Sequence, residues 1–196
     1  MNESNSNGSR WWKISLGKGG CLWDQCLEDK IIVVGAWEIE DLGDLKNYPD
    51  IQSLKETGIY PLGANQLWDF YQNIQIGDYM IAYSKSSIQG IGVVKGEYRF
   101  DTRDKYFAED NYTRLVDWQV LEPPISIHDD DFLWPVFTRN TTLISLDQTI
   151  VEHLKEIFTR EGIQVPGIPP LDHTRDNADD NSSESGQGSI GLPNDR

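Results

Sequence analysis

Few residues in this 196-residue chain are spaced for catalysis. No serine, histidine and aspartate share a triad context, and there is neither a His-Glu-x-x-His pair nor a nucleophile elbow. Asp129-Asp130-Asp131 offers carboxylates for a hard cation, although a run of acids in a loop is also what a solvated surface needs. His128, His153 and His173 lack partners at ligand spacing, and Cys21 and Cys26 are five apart, not the close spacing of a zinc site. Gly17-Lys-Gly-Gly20 is bare enough for its backbone to approach a ligand, yet it lacks the Gly-Lys-Ser/Thr ending of a phosphate-binding loop. The sharpest chemical feature is Lys30-Ile-Ile-Val-Val-Gly-Ala-Trp37. Gly35 and Ala36 leave space at the end of an apolar run, and Trp37 sets a flat wall beside it. That combination can build a slot for a planar ring; a core tryptophan would look the same.

The elements that must position these residues follow from periodicity. Trp11 to Leu16 alternates and predicts a half-buried strand, with Trp12, Ile14 and Leu16 on the core face. Cys21–Asp29 predicts a short helix, and Ile31–Trp37 a buried central strand. Further helices are expected over 50–57, with Asp50 as cap, and over 64–73. Tyr79–Tyr83 and Ile88–Val94 predict a hairpin turning at Ser84–Ser87, with Lys95–Phe100 continuing its second strand. Gly90 and Gly92 inside that strand imply strong bending or the close approach of another group. Tyr112–Leu121 predicts a strand stopped by Pro123-Pro124, and residues 142–147 a strand leading into a helix that Gly162 ends. The sum is an α+β fold, a small curved mixed β-barrel flanked by short helices. Residues 1–9 read as a flexible N-terminus, 10–162 as the domain and 163–196 as a polar, acidic tail or linker.

Composition bounds the function. The net charge is −15, and the tail from Val165 accounts for −4 of it. A broad phosphate-gripping face is excluded, so nucleic-acid affinity must be local or supported by another chain. No stretch has the length of a membrane helix and residues 1–10 lack the apolar core of a signal peptide, which leads us to expect a cytoplasmic protein with free thiols. Seven tryptophans without a catalytic set suit a binding module better than an enzyme, and no cofactor or metal is called for.

The order of motifs resembles a known group. Trp11-Trp-Lys-Ile-Ser-Leu-Gly17, the strand ending Gly-Ala-Trp37, Ile74-Gln-Ile-Gly-Asp-Tyr-Met-Ile-Ala-Tyr83, Gln89-Gly-Ile-Gly-Val-Val-Lys-Gly-Glu-Tyr98 and Arg114-Leu-Val-Asp-Trp118 are similar to the EVE/YTH domains of the PUA-like superfamily. Among these, the similarity points toward the N-terminal DNA-reading domains of McrB-type modification-dependent restriction proteins. It covers about residues 10–160. The resemblance implies a non-enzymatic reader that takes one flipped, methylated base into an aromatic pocket. On this reading the base-binding pocket comprises Trp37, Ala36, Ser15, Gly17, Ser84, Tyr98 and Tyr106. Trp37 matches the first cage aromatic, Ser15 and Gly17 the positions at the base edge, and Tyr98 and Tyr106 are candidates for a second wall. Trp118 reads as core. Lys13, Lys18, Lys85, Lys95, Arg99, Arg103 and Lys105 are the implied phosphate contacts. The implied partner is nucleic acid carrying a modified base, DNA rather than RNA, with a GTPase or nuclease restriction subunit on a separate polypeptide. Two other readings stay open: a protein-interaction or small-ligand module on the same fold, and a YTH-type reader of methylated RNA.

Overall fold

The structure, a computed structural model, describes residues 8–35, 42–101, 106–107, 110–139 and 141–167. These form seven strands: β1 Trp11–Ile14, β2 Ile31–Gly35, β3 Tyr79–Ser84, β4 Ser87–Val94, β5 Arg99–Asp101, β6 Asn111–Ser126 and β7 Leu143–Leu146. Five α-helices accompany them: α1 Trp23–Glu28, α2 Ile51–Lys55, α3 Pro61–Trp68, α4 Trp134–Phe137 and α5 Gln148–Arg160. The sheet runs β2-β6-β4-β3-β1-β7, with β5 also paired to β6. Among the described residues only the β1–β3 pair is parallel; the other ladders are antiparallel. The molecule is thus the α+β curved mixed sheet with short flanking helices that the sequence leads one to expect. Among the described residues no ladder joins β2 to β7, so the barrel is open along that seam.

Each face of the sheet is buried in its own core. Trp12, Ile14, β2, Met80 and Val94 pack with α2, α3 and Phe70. Trp11, Tyr79, Ile81 and Ile91 pack on the other side with α4 and α5. The alternation in β1 therefore does not separate core from solvent, as a half-buried strand would; it separates one core from the other, because α5 covers the second face. Helix α5 is held by the Asp147 carboxylate, which accepts from the Ile150 N–H at 2.9 Å, and ends at Gly162 with φ +70°. Helix α2 begins on a capping box between Asp50 and Ser53.

Three expectations need correction. Strand β2 is buried along its length, but it lies at an end of the sheet and pairs with β6 alone among the described residues. Its unbroken apolar run reflects cover on both faces, not a central place in the ladder. Strand β6 continues through Pro123-Pro124, because its register against β4 jumps from Val120 opposite Gly90 to Ile125 opposite Ile88. The prolines occupy the bulge, where no ladder hydrogen bond is demanded of them. Lys95–Phe100 does not simply extend β4: after Val94 the chain leaves the ladder and returns as β5, opposite Asn111–Thr113.

Buried polar groups fix the frame. Asp78, in the turn before β3, accepts from the Arg10 N–H and the Trp12 indole N–H, both at 2.9 Å, and from the Gln75 N–H at 3.0 Å. Arg114 is buried, and its guanidinium donates to the carbonyls of Phe70 at 2.9 Å and Tyr71 at 2.8 Å. It thereby satisfies a π-helical turn over Asp69–Asn73. The two strand glycines make room for indoles. A Cβ on Gly90 would lie 2.7 Å from the Trp23 ring, and one on Gly92 would lie 2.3 Å from Val116 Cγ1 and 2.6 Å from the Trp118 ring. Trp118 in turn donates its indole N–H to the Ile31 carbonyl at 3.1 Å and meets Trp23 edge to face.

Candidate nucleic-acid interface

Parallel pairing of β1 with β3, Ile14 opposite Ala82, brings the loops after both strands out side by side. One is Ser15–Gly20. The other is the two-residue turn Lys85-Ser86, in which both residues hold positive φ, +47° and +67°. That conformation suits the right-handed twist of a hairpin, but for residues other than glycine it costs about 1 kcal/mol or more each. The loops are locked together. The Ser84 hydroxyl donates to the Gly19 carbonyl at 2.8 Å, and Gly20, at φ +75°, sits so close that a Cβ there would fall 2.1 Å from Ser84 Oγ. Only glycine lets the two loops meet this closely.

Beside them lies a cleft of about 790 Å³. Ser15, Gly17–Gly20 and Tyr83–Ser86 form one bank, and Tyr60, Leu62, Gly63 and Gln66 at the start of α3 form another. Trp134, Phe137, Thr138, Arg139, Thr141 and Thr142 close it, with Phe107 and Gly35 contributing. Gly35 ends β2 whereas Ser15 follows β1, and β6, β4 and β3 separate those strands in the sheet. Curling of the sheet brings both to the same cleft, at the open seam of the half-barrel.

The electrostatics of the cleft run against those of the chain. Lys18, Lys85 and Arg139 line it, all three exposed, and no acidic residue does so among the described residues. None of the three has an ion-pair partner among the described residues. The remaining lining is aromatic (Tyr60, Tyr83, Phe107, Trp134, Phe137), glycine, uncharged and polar, or, at Leu62, aliphatic. Tyr83 and Phe137 meet edge to face, with ring centres 5.5 Å apart. Such a surface can stack planar groups and attract an anion.

The structure gathers only some of the expected site residues. Ser15, Gly17, Ser84, Lys18 and Lys85 all line the cleft. Ala36, Trp37, Arg103 and Lys105 lie outside the described residues; Gly35, on the cleft, precedes Trp37 by two positions. Tyr98 is not on the cleft. Its ring is buried between Tyr71 and Tyr112, and its hydroxyl donates to Asp44 at 3.0 Å while accepting from the Leu45 N–H at 3.1 Å. That burial pushes its hydroxyl pKa well up. Tyr106 turns to α1, donating its hydroxyl to the Asp29 carboxylate at 2.6 Å.

Lys13 is not at the mouth either. It is 1% exposed, its ammonium donates to the Thr141 carbonyl at 2.6 Å and stands 5.5 Å from the centre of the Tyr83 ring. It lies behind two residues of the cleft wall, and burial lowers its pKa to about 8. Lys95 and Arg99 are exposed but stand outside the cleft. Sequence reasoning missed Tyr60, Tyr83, Phe107, Trp134 and Arg139, whose places depend on how α3, α4 and the seam close. Among the described residues no three histidine, cysteine or acidic side chains come together to hold a metal ion, and no helix is long and apolar enough to cross a membrane.

A family model described as a domain of unknown function (DUF8426) matches residues 12–139. The chain belongs to this family. The DUF8426 match takes in both cleft loops, α3, α4 and Arg139, while β7 and α5 lie beyond it. No curated protein matches the chain. Among solved structures, a hypothetical protein from Leishmania major aligns with a TM-score of 0.49 and 8% identity, over 79% of this chain and 98% of its own. The YTH domain of the Zygosaccharomyces rouxii MRB1 protein, in complex with N6-methyladenosine RNA, aligns with 0.46 and 15%, over 81% and 91%. Protein Atu2648 from Agrobacterium tumefaciens aligns with 0.40 and 17%, over 83% and 97%. At these scores and identities the likenesses say nothing of what the chain binds.

Proposed function

We propose that the chain is a non-enzymatic reader of a modified, methylated nucleobase in DNA. The observation that carries this reading is the cleft at the barrel seam, lined by aromatics and three cations and free of acids among its described residues, in a chain of net charge −15. A cleft of that kind in so acidic a protein suits a ligand that is both flat and anionic. A nucleotide is both. Ser15, Gly17 and Ser84 provide polar and backbone groups for the base edge, Lys18 and Lys85 provide phosphate contacts, and Trp37, two residues past Gly35, is the stacking wall. Stacking on one aromatic is worth about 1–3 kcal/mol, and a buried methyl group adds about 0.8 kcal/mol. The motif order shared with EVE/YTH domains supports the same reading. Its similarity to McrB-type DNA-reading domains supports a role in modification-dependent restriction, with a GTPase or nuclease on a separate subunit.

The test is binding of the full chain to matched oligonucleotides with and without methylated cytosine or methylated adenine, in DNA and in RNA. Wild type is expected to prefer a methylated DNA strand, and Trp37→Ala to lose that preference. Equal preference in wild type and variant would remove Trp37 from the pocket; a preference for RNA would replace the DNA assignment.

A further inference from the structure

One part of the cleft is not used by a single stacked base. Tyr60 caps α3 at its N-terminus and is 73% exposed; Leu62, one residue into the helix, is 41% exposed. Both line the cleft. They are two of the five large apolar residues left exposed among the described residues, and the two that line the same cleft as Lys18, Lys85 and Arg139. The Tyr60 hydroxyl makes no hydrogen bond among the described residues, and its ring is open to a ligand. Together they set an exposed apolar step on a cleft that also carries cations. One base also fills only part of about 790 Å³.

We propose that Tyr60, flanked by Leu62, is a stacking platform for the nucleotide next to the one held in the cleft. The ligand is then an unpaired strand of at least two nucleotides, not an isolated nucleotide. The inference rests on the modified-base reading and extends it. Charge selects the occupant: the three cations on the same cleft match the phosphate that joins two stacked nucleotides, whereas an apolar peptide would leave them unanswered. Tyrosine suits the role because its ring stacks on any base and so demands no sequence at the flanking position.

The experiment compares wild type, Tyr60→Phe and Tyr60→Ala against two probes: a single-stranded oligonucleotide carrying the methylated base that wild type prefers, and the corresponding methylated mononucleotide. The substituted side chain is exposed, and superimposable thermal melts check that the fold is kept. The expected result is a loss of oligonucleotide affinity in Tyr60→Ala of about 5- to 150-fold, retention in Tyr60→Phe, and unchanged mononucleotide binding in all three. Unchanged oligonucleotide binding in Tyr60→Ala, or an equal loss for both probes, overturns the platform and leaves the reader standing. Failure of wild type to bind either probe overturns the reader and the platform together.

Discussion

Lys13 shows what a charge costs behind a binding wall. Burial holds its pKa near about 8, below the usual 10.5, with the Thr141 carbonyl accepting from its ammonium. Below that pH the folded chain carries a buried charge that the unfolded chain carries in water, and the full cost is present. Between the two values the folded chain has released a proton that the unfolded chain still holds, so stability rises with pH through that window. The gain amounts to at most about 3 kcal/mol. Tyr98 and Tyr112, whose hydroxyls burial pushes upward, act in the opposite sense only above about pH 10. Urea denaturation of wild type is therefore expected to show rising stability from about pH 8 to about pH 10, and Lys13→Met to lack that rise. Parallel profiles would mean that the ammonium is hydrated in the folded chain.

At the scale of elements, β4 and the two loops at the cleft depend on glycine for close approach. The Gly90-x-Gly92 spacing signals this in the sequence, and the structure supplies the reason: Trp23, Val116 and Trp118 pack where Cβ atoms would stand. Gly92→Ala forces a methyl group into that contact and is expected to cost about 1–3 kcal/mol. The urea midpoint should fall with an unchanged denaturant slope. An unaltered midpoint would show that β4 and β6 shift apart without cost. The same elements show where periodicity misled. A proline pair ends a strand only if the ladder requires its N–H groups, and a three-residue register jump between β4 and β6 removes that requirement.

For the whole molecule, charge decides how a partner is held. The net charge of −15 argues against a broad basic face, yet the cleft gathers three cations that have no ion-pair partner among the described residues. Binding to a single strand should then depend on salt with a log–log slope of about −2, since each phosphate neutralised contributes about −0.7. Removing Lys18, Lys85 or Arg139 should make the slope shallower by one such step each. Titration across a salt series measures it, and a slope steeper than about −4 would require cations well beyond this cleft.

Local patterns determined much of this protein. Hydrophobic alternation and apolar runs located β1, β2, β3, β4 and β7, the capping residue Asp50 opened α2, and the glycine loop and hairpin turn were visible as bare, turn-forming stretches. Each of these is signalled by residue types and spacing within a short window of the chain. Only the tertiary structure decided that both faces of the sheet are covered, that β2 lies at its end, and that Lys13 and Tyr98 are buried. It alone brought Tyr60, Phe107, Trp134 and Arg139 to one cleft with Ser15 and Ser84. Those residues meet because the sheet curls without closing, and curl is a sum over every ladder in the sheet, which no local window of sequence contains.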